Sequence, residues 1–310
     1  MVRRTYTYIV FGLGILLVVA GILKVPGGYI AGAALAFLGL LLFGLSFVPL
    51  QEPSQEPSGE ATPPMSDFER LGGIFFEPSR VFRSLRAHPH WLVPILITSL
   101  LSFAYSTAFS FRLTPERIVS FTNDKLVEKG WVPADKAEEI KAQQVEQAKS
   151  PPRIVGAAIT TFVGTFVFIA IIAALYMLGV LLFGGRMGFW QALAVAAWAA
   201  LPPFVIGRVL SLVLLYLKDP DEIHPILGQS GLVTDNLGAL VKPGEHPVIF
   251  AVLSAFGVLA FYHLWLTATG LRNGGERVSS SSAWTIAIIF WGIGLLFAVC
   301  SSALFGNFIS

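Results

Sequence analysis

Few residues in this chain combine type and position in a way that could do chemistry. Arg208 stands inside an apolar stretch, five residues beyond Pro203 of the pair Pro202-Pro203. A guanidinium at membrane depth is a functional-site candidate by default, suited to an anionic substrate. Its structural alternatives are snorkelling to an interface or binding a carbonyl freed by a proline kink. His263, between Tyr262 and Trp265, has an imidazole that could titrate near neutral pH, although a hydrogen-bonded core histidine is the plainer account. Arg80, Arg83 and Arg86 fall on one helical stripe and could meet a membrane surface or a partner. Nothing else points to catalysis. G-x-S-x-G, the P-loop, H-E-x-x-H and the dinucleotide fingerprint are all missing, and Gly228-Gln229-Ser230-Gly231 has its second glycine one place too early. His88-Pro89-His90 is too short for a metal site, and Cys300, the sole cysteine, reads as a small packed hydrophobe. No catalytic, cofactor-binding or metal-ligating residue and no cofactor is expected.

The elements that carry these residues follow from composition. Charged residues make up 13% of the 310, against about 25% in soluble domains, and mean hydropathy is +0.71. So few charges cannot cover a water-exposed surface. The formal charge of +2 gives no basic face for nucleic acid. Runs free of Asp, Glu, Lys and Arg occupy 5–23, 25–51, 87–111, 154–185, 187–207, 246–271 and 278–310. A bilayer crossing needs about 20 apolar residues, folded as a helix. The fold expected is therefore an all-α integral membrane protein with seven transmembrane helices. Met1-Val2-Arg3-Arg4 before an apolar run is like a signal peptide, but no A-x-A site follows, so a retained anchor is expected.

Residues 1–50 read as a transmembrane hairpin turning at Val25-Pro26-Gly27-Gly28, with small residues Gly28, Gly32 and Ala36 at close-packing spacing. Residues 51–66, rich in Pro, Ser and Glu, read as a flexible linker. The core, 67–310, opens with an amphipathic segment at 67–90. Its apolar face (Phe68, Leu71, Ile74, Phe75, Val81, Phe82, Leu85) lies beside the basic stripe, the pattern of a helix resting on anionic headgroups. Spans are expected at about 91–111, 154–183, 188–217, 247–270 and 284–306. The polar loop 112–153 should be a solvated helical hairpin. Its first helix starts at Thr114-Pro115-Glu116 with Thr114 as cap, Gly130 ends it, and a second helix runs from about Ala134 to Lys149. Pro202-Pro203 should kink the span at 188–217. Residues 218–246 form a polar loop, and Ser282 is placed to cap the last helix. With the N-terminus inside, the arginines at 3, 4, 70, 80, 83, 86, 186, 272 and 277 all face the cytoplasm. Loop 112–153, with eight basic residues, is the exception outside.

From Phe68 onward the chain resembles the Yip family of multi-span membrane proteins, named for interaction with Ypt/Rab GTPases, and in particular its bacterial branch. The likeness rests on Phe75-Phe76-Glu77-Pro78-Ser79-Arg80-Val81-Phe82-Arg83-Ser84-Leu85 followed by Pro89-His90-Trp91-Leu92-Val93-Pro94. It continues in Leu182-Phe183-Gly184-Gly185, Phe189-Trp190 and Ala200-Leu201-Pro202, and in Phe261-Tyr262-His263-Leu264-Trp265, Gly270-Leu271 and the serines before Trp284. The resemblance spans about 67–306 and implies a five-span core with a cytoplasmic N-terminus and a far-side C-terminus. The hairpin at 5–49 is additional. Where many bacterial members carry an acid before the Trp motif, this chain has Gly257 to Ala260. The resemblance implies no catalytic residue.

The function expected is that of a non-enzymatic scaffold or adaptor in the bacterial cytoplasmic membrane. It would act through helix packing and the basic segment 67–90, with the bilayer and other membrane proteins as partners and no nucleic acid. The alternative is a permease or a membrane subunit of a transport complex, with Arg208 lining a cavity beside the Pro202-Pro203 kink. Against it, no carboxylate lies within a span to carry coupling charge. A lipid-modifying enzyme ranks last, because no paired acid and base is present.

Overall fold

Lipid offers no hydrogen-bond partner, so a crossing backbone must close its bonds within the segment, and the apolar runs fold as helices. The computed structural model describes residues 65–149 and 151–306. Among the described residues there are helices, turns and two isolated backbone bridges, and no strand. In chain order the helices are α1 (Asp67–Phe76), α2 (Pro78–Ala87), α3 (Leu92–Leu113), α4 (Pro115–Glu128), α5 (Ala137–Lys149) and α6 (Pro151–Leu182). They continue with α7 (Phe189–Leu217), the single turn α8 (Leu227–Ser230), α9 (Pro247–Ser254), α10 (Val258–Gly274) and α11 (Ser280–Phe305). Four stretches among the described residues are long and apolar enough to cross a bilayer: Leu92–Leu113, Ile159–Leu182, Phe189–Leu217 and Ser280–Leu304. The hairpin expected at 5–49 and the linker as far as residue 64 lie outside the described residues.

The stretch 247–270, expected as one span, is instead two helices parted at 255–257. The cause is a distant strip of loop. Asp235 Oδ2 accepts from the Leu259 amide at 2.7 Å. The Asp235 carbonyl accepts from Val258 at 3.3 Å, and the Leu237 amide donates to the Phe256 carbonyl at 3.3 Å. The amides of Leu259 and Val258 at the start of α10 are therefore satisfied by the carboxylate and the carbonyl of Asp235, which a hydropathy scan cannot see. Gly257 leaves room for it, since a Cβ there would lie 3.0 Å from Asn236 Cβ and 3.1 Å from Asp235 Oδ2.

Two expected caps also differ. Ser279, not Ser282, caps α11, its hydroxyl accepting from the Ser282 amide at 3.0 Å. Thr114 makes no side-chain capping bond; it adopts φ +64°, turning the chain between α3 and α4, and Pro115 opens the helix as expected. Gly130, at φ +70°, closes α4, and a short 3₁₀ turn at Ala134–Lys136 leads into α5. Cys300 is exposed on α11 rather than packed.

The described residues fall into two units. The first takes 65–96, 162–202 and 265–288. Its core is Ile74, Val81, Phe82 and Leu85 of the α1–α2 hairpin with Leu193, Val195 and Trp198 of α7 and Leu271 of α10, all without solvent exposure. Small residues allow the close approach: a Cβ on Gly270 would meet Val195 Cγ1 at 2.7 Å and the Phe82 ring at 3.0 Å. Trp198 Nε1 donates to the His90 carbonyl at 2.6 Å, and Trp91 stacks on Trp190 with centroids 5.7 Å apart.

The second unit takes 97–161, 203–264 and 289–306. Its core holds Tyr105, Phe109 and Leu113 of α3, Leu215 of α7 and Ile223. The loop after α7 is ordered by turns at Pro220–Glu222, α8 and Leu237–Leu240. Arg112 closes the α7 C-terminus, donating to the Leu215 carbonyl at 3.4 Å and the Lys218 carbonyl at 3.1 Å.

Candidate functional site

The α1–α2 hairpin is built from its ends inward. Ser66 and Glu69 form a reciprocal capping box at the start of α1: the Ser66 amide donates to Glu69 Oε2 at 2.7 Å and the Glu69 amide to Ser66 Oγ at 3.2 Å. The bond from the Ser66 amide, then that from its hydroxyl, hold the Glu69 carboxyl below its ordinary value. Glu77 separates the helices and Pro78 opens the second. A Cβ on Gly73 would lie 2.9 Å from Val81 Cγ2, so the glycine lets α2 fold back closely.

The structure divides the arginine stripe of α2 into two roles. Arg86 is an anchor: its Nη2 pairs with Glu276 Oε1 at 3.1 Å, and its carbonyl accepts from Gln191 Nε2 at 2.7 Å. The Glu276 side chain is only 15% exposed. Arg80 and Arg83 point outward. Arg80 reaches Glu77 at 3.3 Å, and Arg83 Nε donates to the Ser79 carbonyl at 3.2 Å. On the opposite face Val81, Phe82 and Leu85 are fully buried in protein, so α2 does not lay its apolar face on lipid. The aromatics left outside belong to α1: Phe68 and Phe76 are each 87% exposed.

Sequence reasoning counted Arg70 only among the cytoplasm-facing arginines; in the structure its side chain is fully buried. Its Nη1 pairs with Asp67 Oδ1 at 3.0 Å and its Nε donates to Ser84 Oγ at 3.3 Å. His90 Nδ1 lies 3.2 Å from the same Asp67 oxygen. The available signal was its spacing of four from Ile74, which puts both on the inner face of α1. Glu276 carried no signal, since its partner Arg86 is remote in sequence.

Arg208 belongs to the second unit. Its guanidinium carbon sits 4.6 Å from the centroid of Tyr105 and 5.3 Å from that of Phe204. Such contacts are worth up to about 2 kcal/mol where water is excluded. Its Nη1 is buried without a hydrogen-bond partner among the described residues. Tyr105 is itself pinned, its hydroxyl donating to the Gly228 carbonyl at 2.5 Å. α7 stays helical through Pro202 and Pro203, and both are buried. His263 is half-buried on α10. Among the described residues no group of three His, Cys, Asp or Glu side chains could hold a metal. The arginines of α2 lie in the first unit, and Arg208 and His263 in the second.

A family model described as Yip1 domain matches residues 72–301. No curated protein and no solved structure matches the chain.

Proposed function

Given that the chain belongs to the Yip1 domain family and is a multi-pass membrane protein, we propose that it is a non-enzymatic scaffold or adaptor whose contact surface is the outer face of α2. One observation carries this reading. The apolar face of α2 is spent inside the protein and its last arginine is tied to Glu276, so Arg80 and Arg83 are presented on a fixed support. A pre-set cationic surface favours an acidic partner, because little side-chain and backbone freedom remains to be lost on contact. Arg208 fits the same reading as a packing element, its charge resting on Tyr105 and Phe204. The site of action is the bacterial cytoplasmic membrane, with the α1–α2 hairpin on the cytoplasmic side and the C-terminus outside, following the arginine distribution.

The test is affinity purification of the full-length chain from membranes in mild detergent. The double variant Arg80→Glu, Arg83→Glu should lose co-purifying proteins that the wild type retains. An unchanged set of partners would remove α2 as the contact surface.

A further inference from the structure

On α1 the inner face is Arg70 and Ile74, neither with any exposure. Phe68, Gly72 and Phe76 follow one another at four-residue spacing on the opposite face, and both phenylalanines are 87% exposed. Scattered apolar residues on a surface are ordinary, but two nearly bare rings on one helix face form a patch that asks for an apolar medium.

The hairpin is held where such a medium lies. Through Arg86, α2 grips Glu276 at 3.1 Å. Glu276 in turn exchanges two backbone hydrogen bonds of 2.8 Å with Arg186, in the turn between the spanning helices α6 and α7. A turn between two spanning helices must sit near the edge of the hydrocarbon layer. The charges of the hairpin agree. Asp67 is taken by Arg70 and His90, Glu69 by Ser66, and Glu77 by Arg80. Each acid thus has a partner within the hairpin, the Glu77–Arg80 pair itself standing in solvent beside the exposed Arg83.

We propose that α1 is a membrane-inserting helix. Phe68 and Phe76 enter the boundary between headgroups and acyl chains of the surrounding bilayer. This rests on reading 67–90 as a surface segment of the adaptor, and it divides the labour within it: α1 holds lipid, and α2 stays free for a partner.

The test uses the full-length chain with Cys300→Ser and a single new cysteine at Phe68→Cys, Phe76→Cys or Arg83→Cys. Each carries an environment-sensitive fluorophore, in nanodiscs of phosphatidylcholine with or without phosphatidylglycerol. At 68 and 76, lipid bearing a nitroxide near the headgroup should quench most of the emission. Aqueous iodide should quench several-fold less there than at 83 in either lipid. Equal iodide quenching at all three positions overturns the proposal. So does a label shielded from iodide yet untouched by nitroxide lipid, which would mean that protein, such as the N-terminal hairpin, covers the patch. Partner capture by the chains labelled at 68 or 76, in which Arg80 and Arg83 are intact, separates the two ideas. Intact capture with failed lipid quenching sinks insertion alone, and lipid quenching with capture unaffected by Arg80→Glu, Arg83→Glu sinks the adaptor surface alone.

Discussion

Replacing Gly270 by alanine places a methyl carbon 2.7 Å from Val195 Cγ1 and 3.0 and 3.1 Å from two Phe82 ring atoms. None of these atoms is the free end of a flexible chain: Val195 is β-branched on α7, and Phe82 is fully buried on α2. Two effects oppose each other. Alanine is a better helix former than glycine by about 0.5–1 kcal/mol. Overpacking costs about 1–3 kcal/mol, because the helices must separate or the side chains leave their rotamers. The clash should win, leaving Gly270→Ala destabilised by about 1–2 kcal/mol. Val195→Ala alone removes two methyl groups. Apolar transfer counts for little beside lipid, so its cost is mainly lost dispersion, about 1 kcal/mol. In the double variant the 2.7 Å contact is gone and the Phe82 ring can shift by a few tenths of an ångström into the space that Val195 vacates, so it should lie close in stability to Val195→Ala alone. That is a coupling of about 1–2 kcal/mol in favour of the pair. The assay is equilibrium unfolding of the purified chain by a denaturing detergent titrated against a mild one, followed by tryptophan fluorescence. A Gly270→Ala variant as stable as wild type, or costs that simply add, would refute the account of close packing in the first unit.

Two further outcomes test the helix ends. Asp235→Ala should loosen the start of α10, since the Leu259 amide loses an acceptor at 2.7 Å, a capping bond worth about 1 kcal/mol. Hydrogen exchange at Leu259 should quicken about fivefold, while Asp235→Asn, which can still accept, should stay near wild type; equal behaviour of the two would reject the cap. At the start of α1, the Glu69 carboxyl titrates below its ordinary value in the folded chain, so its contribution is complete above the unfolded value and is lost as pH falls through the lowered one. Exchange in the first turn of α1, corrected for intrinsic rates, should therefore accelerate in acid for wild type and not for Glu69→Gln, and matching profiles would count against the capping box.

Long apolar helices and the polar helical hairpin at 115–149 could be read from the sequence because each is set by local pattern: charge-free length for the former, Pro115 and Gly130 for the latter. The division of 247–274 could not, because it depends on a carboxylate 24 residues away from the amide it serves. Hydropathy also cannot separate lipid from protein as the destination of an apolar face. That is why Val81, Phe82 and Leu85 looked like a lipid-facing stripe together with Phe68, although the first three are enclosed and the last is bare. Cys300 failed for the same reason, being apolar in context but exposed on α11. The arginine stripe was visible as spacing; its split into one anchor and two outward charges was not, since only the fold brings Glu276 to Arg86.

The mutual backbone pairing of Arg186 with Glu276 joins the turn after α6 to the turn after α10, and Glu276 is also the residue that α2 grips. A pull or twist applied to α2 would therefore arrive at both turns together. One ion pair and two backbone bonds make the three pieces a single latch, and displacing α2 would strain both turns in concert.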